Sequence, residues 1–190
     1  MIGVNQLDTK EKLLYSAMKS IKEDGINGFT IRNVSKLCGI SSAAIYKHYK
    51  NKSDLLNATI EYILDAWYAE VESITSKPTA DYPEIITSLA LYTIEFLSKN
   101  ELYLPVIVAE IYSDYNYISY NSKVSHYFRD VLSKWTIHKS ISHEKATKMA
   151  FLLQSIIISS ILSIYNSHYE FDEKTKLMVG SCIAALFENI

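Results

Sequence analysis

Apolar residues recur at intervals of three and four along most of the chain, and no stretch alternates apolar with polar residues as a strand would. Asp8 and Glu11 have capping-box spacing, and Leu13, Leu14, Ala17, Met18 and Ile21 follow on one helical face. Gly25 is placed to end that helix, with Ile26, Asn27, Gly28 and Phe29 as a connector. Thr30 then caps a short helix with Ile31, Val34 and Leu37 on its apolar side, stopped by Gly39. Ser41 caps a third helix carrying Ala44, Ile45, His48 and Tyr49. Asn51 and Asp54 open a fourth, whose apolar positions run from Leu55 through Trp67 to about Ile74.

Ser76 to Ala80 is the clearest break. Asp81 and Glu84, with Pro83 in the first turn, restart a helix bearing Ile85, Ile86, Leu89, Tyr92, Thr93 and Phe96. Asn100 or Leu104 precedes the next helix, where Pro105 fits near an N-terminus and poorly in an interior, and another helix is expected from about Ser122 through Trp135. Ser142 caps a long apolar helix to about Tyr165, and Asp172 caps a last one ending near Phe187. The expected fold is all-α with about nine helices. Five Gly and three Pro among 190 residues fit long helices better than a turn-rich β fold.

The longest apolar stretch, Met149 to Tyr165, is interrupted by Gln154, Ser155, Ser159, Ser160 and Ser163. It falls short of the roughly 20 mostly apolar residues of a membrane span and reads as a buried helix. The first twelve residues lack the apolar core of a signal peptide. The only cysteines, Cys38 and Cys182, are far apart and make no disulfide framework. A cytoplasmic protein with no membrane partner is expected.

The formal net charge of −2 conceals an asymmetry. Residues 1–54 hold nine Lys or Arg against five acids, while the remainder holds ten against sixteen. A basic start on an acidic body suits a polyanion at one end, although a solvated face gives the same imbalance. What gives it weight is the segment in the same place, Thr30 to Tyr49, which reads TIRNVSKLCGISSAAIYKHY. This is helix, tight turn and helix, with Val34 and Ile45 between the two, Ser35 small at the approach and Gly39 at the turn. A second helix so presented can enter a DNA major groove with its N-terminal residues on the base edges. Those residues are Ser41, Ser42, Ala43 and Ala44, followed by Tyr46, Lys47 and His48. Thr30, Arg32, Lys50 and Lys52 lie at neighbouring helix starts, where hydroxyls, amides and cations meet phosphates.

The first 60 or so residues resemble the DNA-binding region of the TetR family of bacterial one-component regulators. The resemblance rests on the amphipathic first helix, Gly25, Gly28-Phe29-Thr30, Val34-Ser35, Cys38-Gly39-Ile40-Ser41, Ile45-Tyr46, Tyr49, and Lys52 before Leu55. It implies phosphate contacts from Thr30, Tyr46 and Lys52. Ser42 stands where the family often has a base, Ala43 where Gly or Pro is frequent, and Ala44 where Thr or Ser is frequent. No Arg, Asn or Gln lies between Ser41 and Tyr49, so specificity is expected to lean on Lys47, Ser42, methyl contacts and DNA shape. Tyr49 replaces a more usual Phe and is expected in the core. Tyr46 lies off the buried face that Ile45 and Tyr49 define, which favours DNA over the core.

The rest of the chain holds most of the fifteen Tyr. Trp67, Tyr92, Phe96, Tyr112 and Tyr115 suit a pocket for a planar or amphipathic ligand, or are core and surface filler. Gln154, inside an apolar helix, either meets a partner across helices or faces such a pocket. The last two helices are too apolar for free surface, with Ile157, Ile161, Ile164, Gly180 and Ala184 as candidate contacts. Two helices from each of two chains would build a four-helix dimer interface, as the resemblance implies.

The five His make no i, i+4 pair, and no catalytic, P-loop or dinucleotide motif occurs, so no metal, cofactor or enzymatic activity is expected. The organisation read from this is a helix-turn-helix domain over 1–52 and a ligand-binding and dimerisation domain over 53–190, with 53–75 as connecting helix. The function read is a ligand-released regulator, in the repressor sense, binding double-stranded DNA at an inverted repeat as a homodimer, with an unknown small molecule as effector. The rival is a helical protein-interaction or ligand-sequestering module that no longer binds DNA.

Overall fold

Asp8 accepts the Glu11 N–H at 2.8 Å while the Glu11 carboxylate accepts the Asp8 N–H at 3.2 Å, so the first helix opens on a true capping box. The computed structural model describes residues 8–75, 81–113, 123–167 and 170–188. Among the described residues there are nine α-helices and no strand, so the fold is all-α. They are α1 (Thr9–Gly28), α2 (Ile31–Cys38), α3 (Ser42–Tyr46), α4 (Lys52–Thr75), α5 (Tyr82–Ser98), α6 (Tyr103–Ser113), α7 (Lys123–His138), α8 (His143–Ser167) and α9 (Glu173–Ala185). The chain divides into two compact units, one of residues 1–66 and 101–113, the other of 67–100 and 114–190.

In the first unit, Leu13, Leu14, Ala17, Met18 and Ile21 of α1 are buried. Gly25 adopts φ 67° and ψ −177°, so the helix kinks there rather than ending, and one more turn carries it to Gly28. The Phe29 N–H closes that turn on the Gly25 carbonyl at 3.1 Å. Thr30 caps α2 by accepting the Asn33 N–H at 3.1 Å. Gly39, at φ 73° and ψ 26°, ends it in the left-handed region. The Gly39 N–H to Lys36 carbonyl and Ile40 N–H to Ser35 carbonyl bonds, at 3.3 and 3.1 Å, form a Schellman motif.

Leu37 does not share the buried face of α2; it is 37% exposed. The buried arc is centred among Ile31, Val34 and Ser35, and Leu37 lies roughly 110° from that centre at 100° per residue. α3 is also shorter than expected. It stops at Tyr46, and Lys47 to Tyr49 form a turn in which the His48 and Tyr49 N–H groups share the Ile45 carbonyl at 2.9 and 3.0 Å.

The start of α4 is fixed by two bonds: Asn51 accepts the Asp54 N–H at 2.9 Å, and Asp54 accepts the Lys50 N–H at 2.9 Å. Phe29, Val34, Ile45, Leu55 and Ile63 form the centre of this unit. α6, with Pro105 in its first turn and Val106 to Ala109 buried, packs on α1, where Lys22 and Glu101 form an ion pair.

The second unit packs α5 against α7, α8 and α9. Its core contains Trp67, Val71, Ile86, Leu89, Ile94, Leu132, Trp135, Leu153 and Ile183. Asp81 stands at the N-cap of α5 without a side-chain cap bond, whereas Ser142 and Asp172 cap α8 and α9 through the N–H groups of Lys145 and Thr175. Lys176 joins Glu95 at 3.0 Å and Glu173 at 2.8 Å, tying α9 to α5.

α8 corrects the sequence expectation in two respects. His143–Asn166 is long and apolar enough to cross a membrane by length and composition. Nor is it buried all round: Met149, Leu153, Ile157 and Ile161 face the unit's core, while Phe151 and Leu152 are exposed. The first four pack against the unit's own helices, so α8 has an inner stripe and an open one.

Candidate nucleic-acid interface

α2, the Gly39 turn and α3 present one exposed surface built on a small apolar base. Ile45 is completely buried beneath α3, and Tyr49 is buried one turn later. Tyr46 turns the other way and is 56% exposed, so it is no core aromatic. Lys47 and His48 are exposed beside it, as are Arg32 on α2 and Lys50 and Lys52 at the start of α4. Ser41 is exposed and its oxygen accepts the Ala44 N–H at 3.2 Å. Ala43 is exposed, while Ser42 and Ala44 are half-buried. Thr30 is exposed, and its oxygen accepts the cap bond while its own hydrogen stays uncommitted to that bond.

Two of these side chains also work inside the unit. The Lys52 ammonium donates to the Ile26 carbonyl at 3.0 Å and lies 5.4 Å from the centre of the Phe29 ring. The Ser42 hydroxyl lies 3.1 Å from that of Ser35, which donates to the Arg32 carbonyl at 2.8 Å. Asn33 holds the entry to α2 by donating its amide to the Gly28 carbonyl at 2.8 Å. The Tyr49 hydroxyl is buried without a partner among the described residues, and burial, then Asp54 and Asp8, push its ionisation upward. The surface can thus offer hydroxyls, methyls and cations to a polyanion, but few bidentate groups to a base edge.

In the second unit, Trp67 is 2% exposed and its indole N–H donates to Thr93 at 3.1 Å. Tyr68 and Tyr127 meet its ring edge-on, with centroids 5.0 and 5.6 Å away. These two partners come from α4 and α7, and no periodicity within one helix reveals such a meeting. Tyr92 and Phe96 are half-buried neighbours on α5, 5.9 Å apart. The Tyr92 hydroxyl donates to Glu70 at 2.9 Å, and burial, with that carboxylate, raises its ionisation well above the usual phenol range. Gln154 is half-buried on α8, distant in sequence from all of them. Tyr115 and the side chain of Tyr112 lie outside the described residues.

Of the candidate interface residues, Ile157 and Ile161 are buried in their own unit, and Ile164 and Ala184 are half-buried. A Cβ at Gly180 would make ordinary contact with Leu91 at 3.4 Å and Thr87 at 3.9 Å, so this position lies against α5 of its own unit. The open apolar face is a different one. It carries Phe151, Leu152, Ser155, Ser159 and Ser163 on α8, and Leu177, Met178, Ser181 and Ala185 on α9. Leu177 and Met178 are 75% and 60% exposed. Among the described residues, no three His, Cys, Asp or Glu side chains group as metal ligands would.

Residues 13–59 match the family of bacterial regulatory proteins, tetR family. An HTH-type transcriptional regulator of Staphylococcus aureus is 26% identical over 103 residues, 54% of this chain and 55% of that protein. The chain therefore matches about half the length of these curated relatives. Among solved structures, a transcriptional regulator from Rhodococcus sp. superposes with a TM-score of 0.76 at 17% identity, over 95% of this chain and 97% of the other. The regulator FadR from Bacillus subtilis, solved with stearoyl-CoA, superposes with a TM-score of 0.74 at 16% identity, over 95% and 98%. At these identities the structures establish a shared fold.

Proposed function

We propose that this chain, which belongs to the tetR family of bacterial regulatory proteins through residues 13–59, is a cytoplasmic, ligand-responsive transcriptional repressor. It binds an inverted-repeat operator as a homodimer and lets go when a small molecule binds. The observation that carries this reading is the outward turn of Tyr46 from a helix anchored by Ile45, amid exposed Arg32, Lys47, Lys50 and Lys52. A helix so anchored presents a hydroxyl and cations to phosphates.

Residues 1–52 serve as the DNA-binding domain and 53–190 as the ligand and dimer domain, with 53–75 as the connecting helix. Dimerisation uses the open face of α8 and α9, which Ile157 and Ile161 support from behind. An inverted repeat follows from the two-fold symmetry of such a dimer. Ligand shifts a two-state equilibrium, and it does so only by binding the released state better than the DNA-bound one. The aromatic groups of the second unit, Trp67, Tyr92 and Phe96, with Gln154, supply the effector site. Because FadR from Bacillus subtilis was solved with stearoyl-CoA, that compound is the first effector probe.

The test is fluorescence anisotropy with DNA flanking the protein's own gene, at two salt concentrations, against random DNA. Selective binding that weakens with salt, and weakens again in Tyr46→Phe while the melting temperature holds, supports the regulator. Equal affinity of Tyr46→Phe and parent refutes the contact. Failure to select any sequence from a library of genome fragments favours the interaction or ligand-sequestering module.

A further inference from the structure

The DNA-binding reading leaves open what a recognition helix with two alanines and no Arg, Asn or Gln reads. Two serine hydroxyls, and the carbonyl they end on, constrain the answer. The Ser35 hydroxyl lies 2.8 Å from the Arg32 carbonyl oxygen. A carbonyl only accepts, so the single hydrogen of Ser35 is spent there. The Ser42 hydroxyl lies 3.1 Å from that of Ser35. That contact also needs a hydrogen, and Ser42 alone has one to give. The relay therefore has a fixed direction, from Ser42 to Ser35 to the Arg32 carbonyl.

Resting on the DNA-binding reading, we infer that Ser42 reads base edges only as an acceptor and selects an amino base, adenine or cytosine, on the strand it faces. A free serine hydroxyl accepts from or donates to any base edge and discriminates little. This one points its hydrogen back into α2 and keeps two lone pairs. Ser42 remains half-exposed, with apolar Ala43 and Ala44 beside it. In the major groove adenine N6 and cytosine N4 donate, whereas guanine O6 and thymine O4 accept. A keto oxygen opposite Ser42 meets lone pairs. To donate to it, Ser42 must give up Ser35. One net hydrogen bond of this kind corresponds to a preference of about threefold to tenfold.

The experiment is in vitro selection from a randomised duplex library with the full-length chain, Ser42→Ala and Ser35→Ala, each checked for an intact melting transition. The parent is expected to enrich A or C at one position of each half-site. Ser42→Ala flattens that position alone. Ser35→Ala takes no groove contact away but frees the Ser42 hydrogen, so G and T become tolerated at the same position while the rest of the consensus stays. A merely structural role for Ser35 would weaken all positions together, and that result overturns the inference. So does a parent consensus with G or T there, or one that Ser42→Ala leaves unchanged. Enrichment of no sequence by any of the three proteins overturns the DNA-binding reading itself, and the inference with it.

Discussion

Lys52 occupies two roles that a single substitution separates. Its ammonium donates to the Ile26 carbonyl at 3.0 Å and lies 5.4 Å from the Phe29 ring centre, on an exposed side chain. At an exposed site the cation–π contact is worth about 0.5 kcal/mol. A cation on a carbonyl of the last turn of α1 adds roughly 0.3–1 kcal/mol. Lys52→Ala should therefore cost about 1 kcal/mol without DNA, a fall of about 2–4 °C in melting temperature for a chain of this size. The ammonium has three hydrogens and Ile26 uses one, so a phosphate contact is compatible with the same position. Losing that contact lowers the slope of log affinity against log salt by about 0.9 per subunit, or about 1.8 for a dimer. The assay pairs thermal melting in the absence of DNA with anisotropy titrations at several salt concentrations. Lys52→Met keeps an unbranched side chain but lacks the ammonium, both its charge and its donor to Ile26, so it should lose the salt slope as fully as alanine does. An affinity that falls by the same factor at every salt refutes the phosphate contact and leaves Lys52 as a positioning residue. An unchanged melting temperature refutes the contribution of Ile26 and Phe29.

Tyr49→Phe removes a buried hydroxyl that has no partner among the described residues, so the melting temperature should hold or rise by about 1–3 °C, and a fall would show that the hydroxyl is satisfied. Glu95 is held below the ordinary glutamate value of 4.5, first by the Lys99 hydrogen bond and then by Lys176, against the opposing effect of burial. Its folded-state value is the lower one, so its stabilisation is complete above the unfolded value and lost as pH falls through the folded one. Glu95→Gln should therefore melt below the parent at pH 7 and converge with it once pH has fallen through the lowered folded-state value, and a gap that persists beyond the acid end of the titration refutes the network as its source. Met178→Glu puts a charge on the open face of α8 and α9, and should convert a dimer to monomer in sedimentation while the far-ultraviolet spectrum of the helices is unchanged; an intact dimer places the interface elsewhere.

The first unit was largely legible because its signals are local. Asp8, Thr30, Gly39, Ser41 and Asn51 each act within four residues, and each makes the cap or turn bond expected of it. The misplacements there have the same local scale. Gly25 has positive φ but ψ near 180°, so it bends α1 instead of closing it. The apolar spacing of Ile31, Val34 and Leu37 implied one face, but Ser35 joins the buried arc and Leu37 leaves it. The second unit was legible only as helices. That Trp67 would meet Tyr127, or that Lys176 would reach Glu95, depends on which helices become neighbours, and residue spacing within a helix does not contain that.

α8 shows most clearly where periodicity stops. Its apolar residues cover nearly the whole circumference, so any stripe of them fits an interface on spacing alone. The chain uses Met149, Leu153, Ile157 and Ile161 for its own core, and the stripe left open is broken by serines. In the sequence those serines read as polar interruptions of an apolar run. In the structure the Ser155 hydroxyl donates to the Phe151 carbonyl at 2.8 Å, Ser159 to Ile156 at 3.1 Å, and Ser181 to Leu177 at 2.8 Å. A hydroxyl bonded to its own helix has little left to lose when water is removed. Small side chains so satisfied also let a second helix approach closely between Phe151, Leu152, Leu177 and Met178. The residues that argued against a membrane span in the sequence are therefore the ones that make this face fit to be covered.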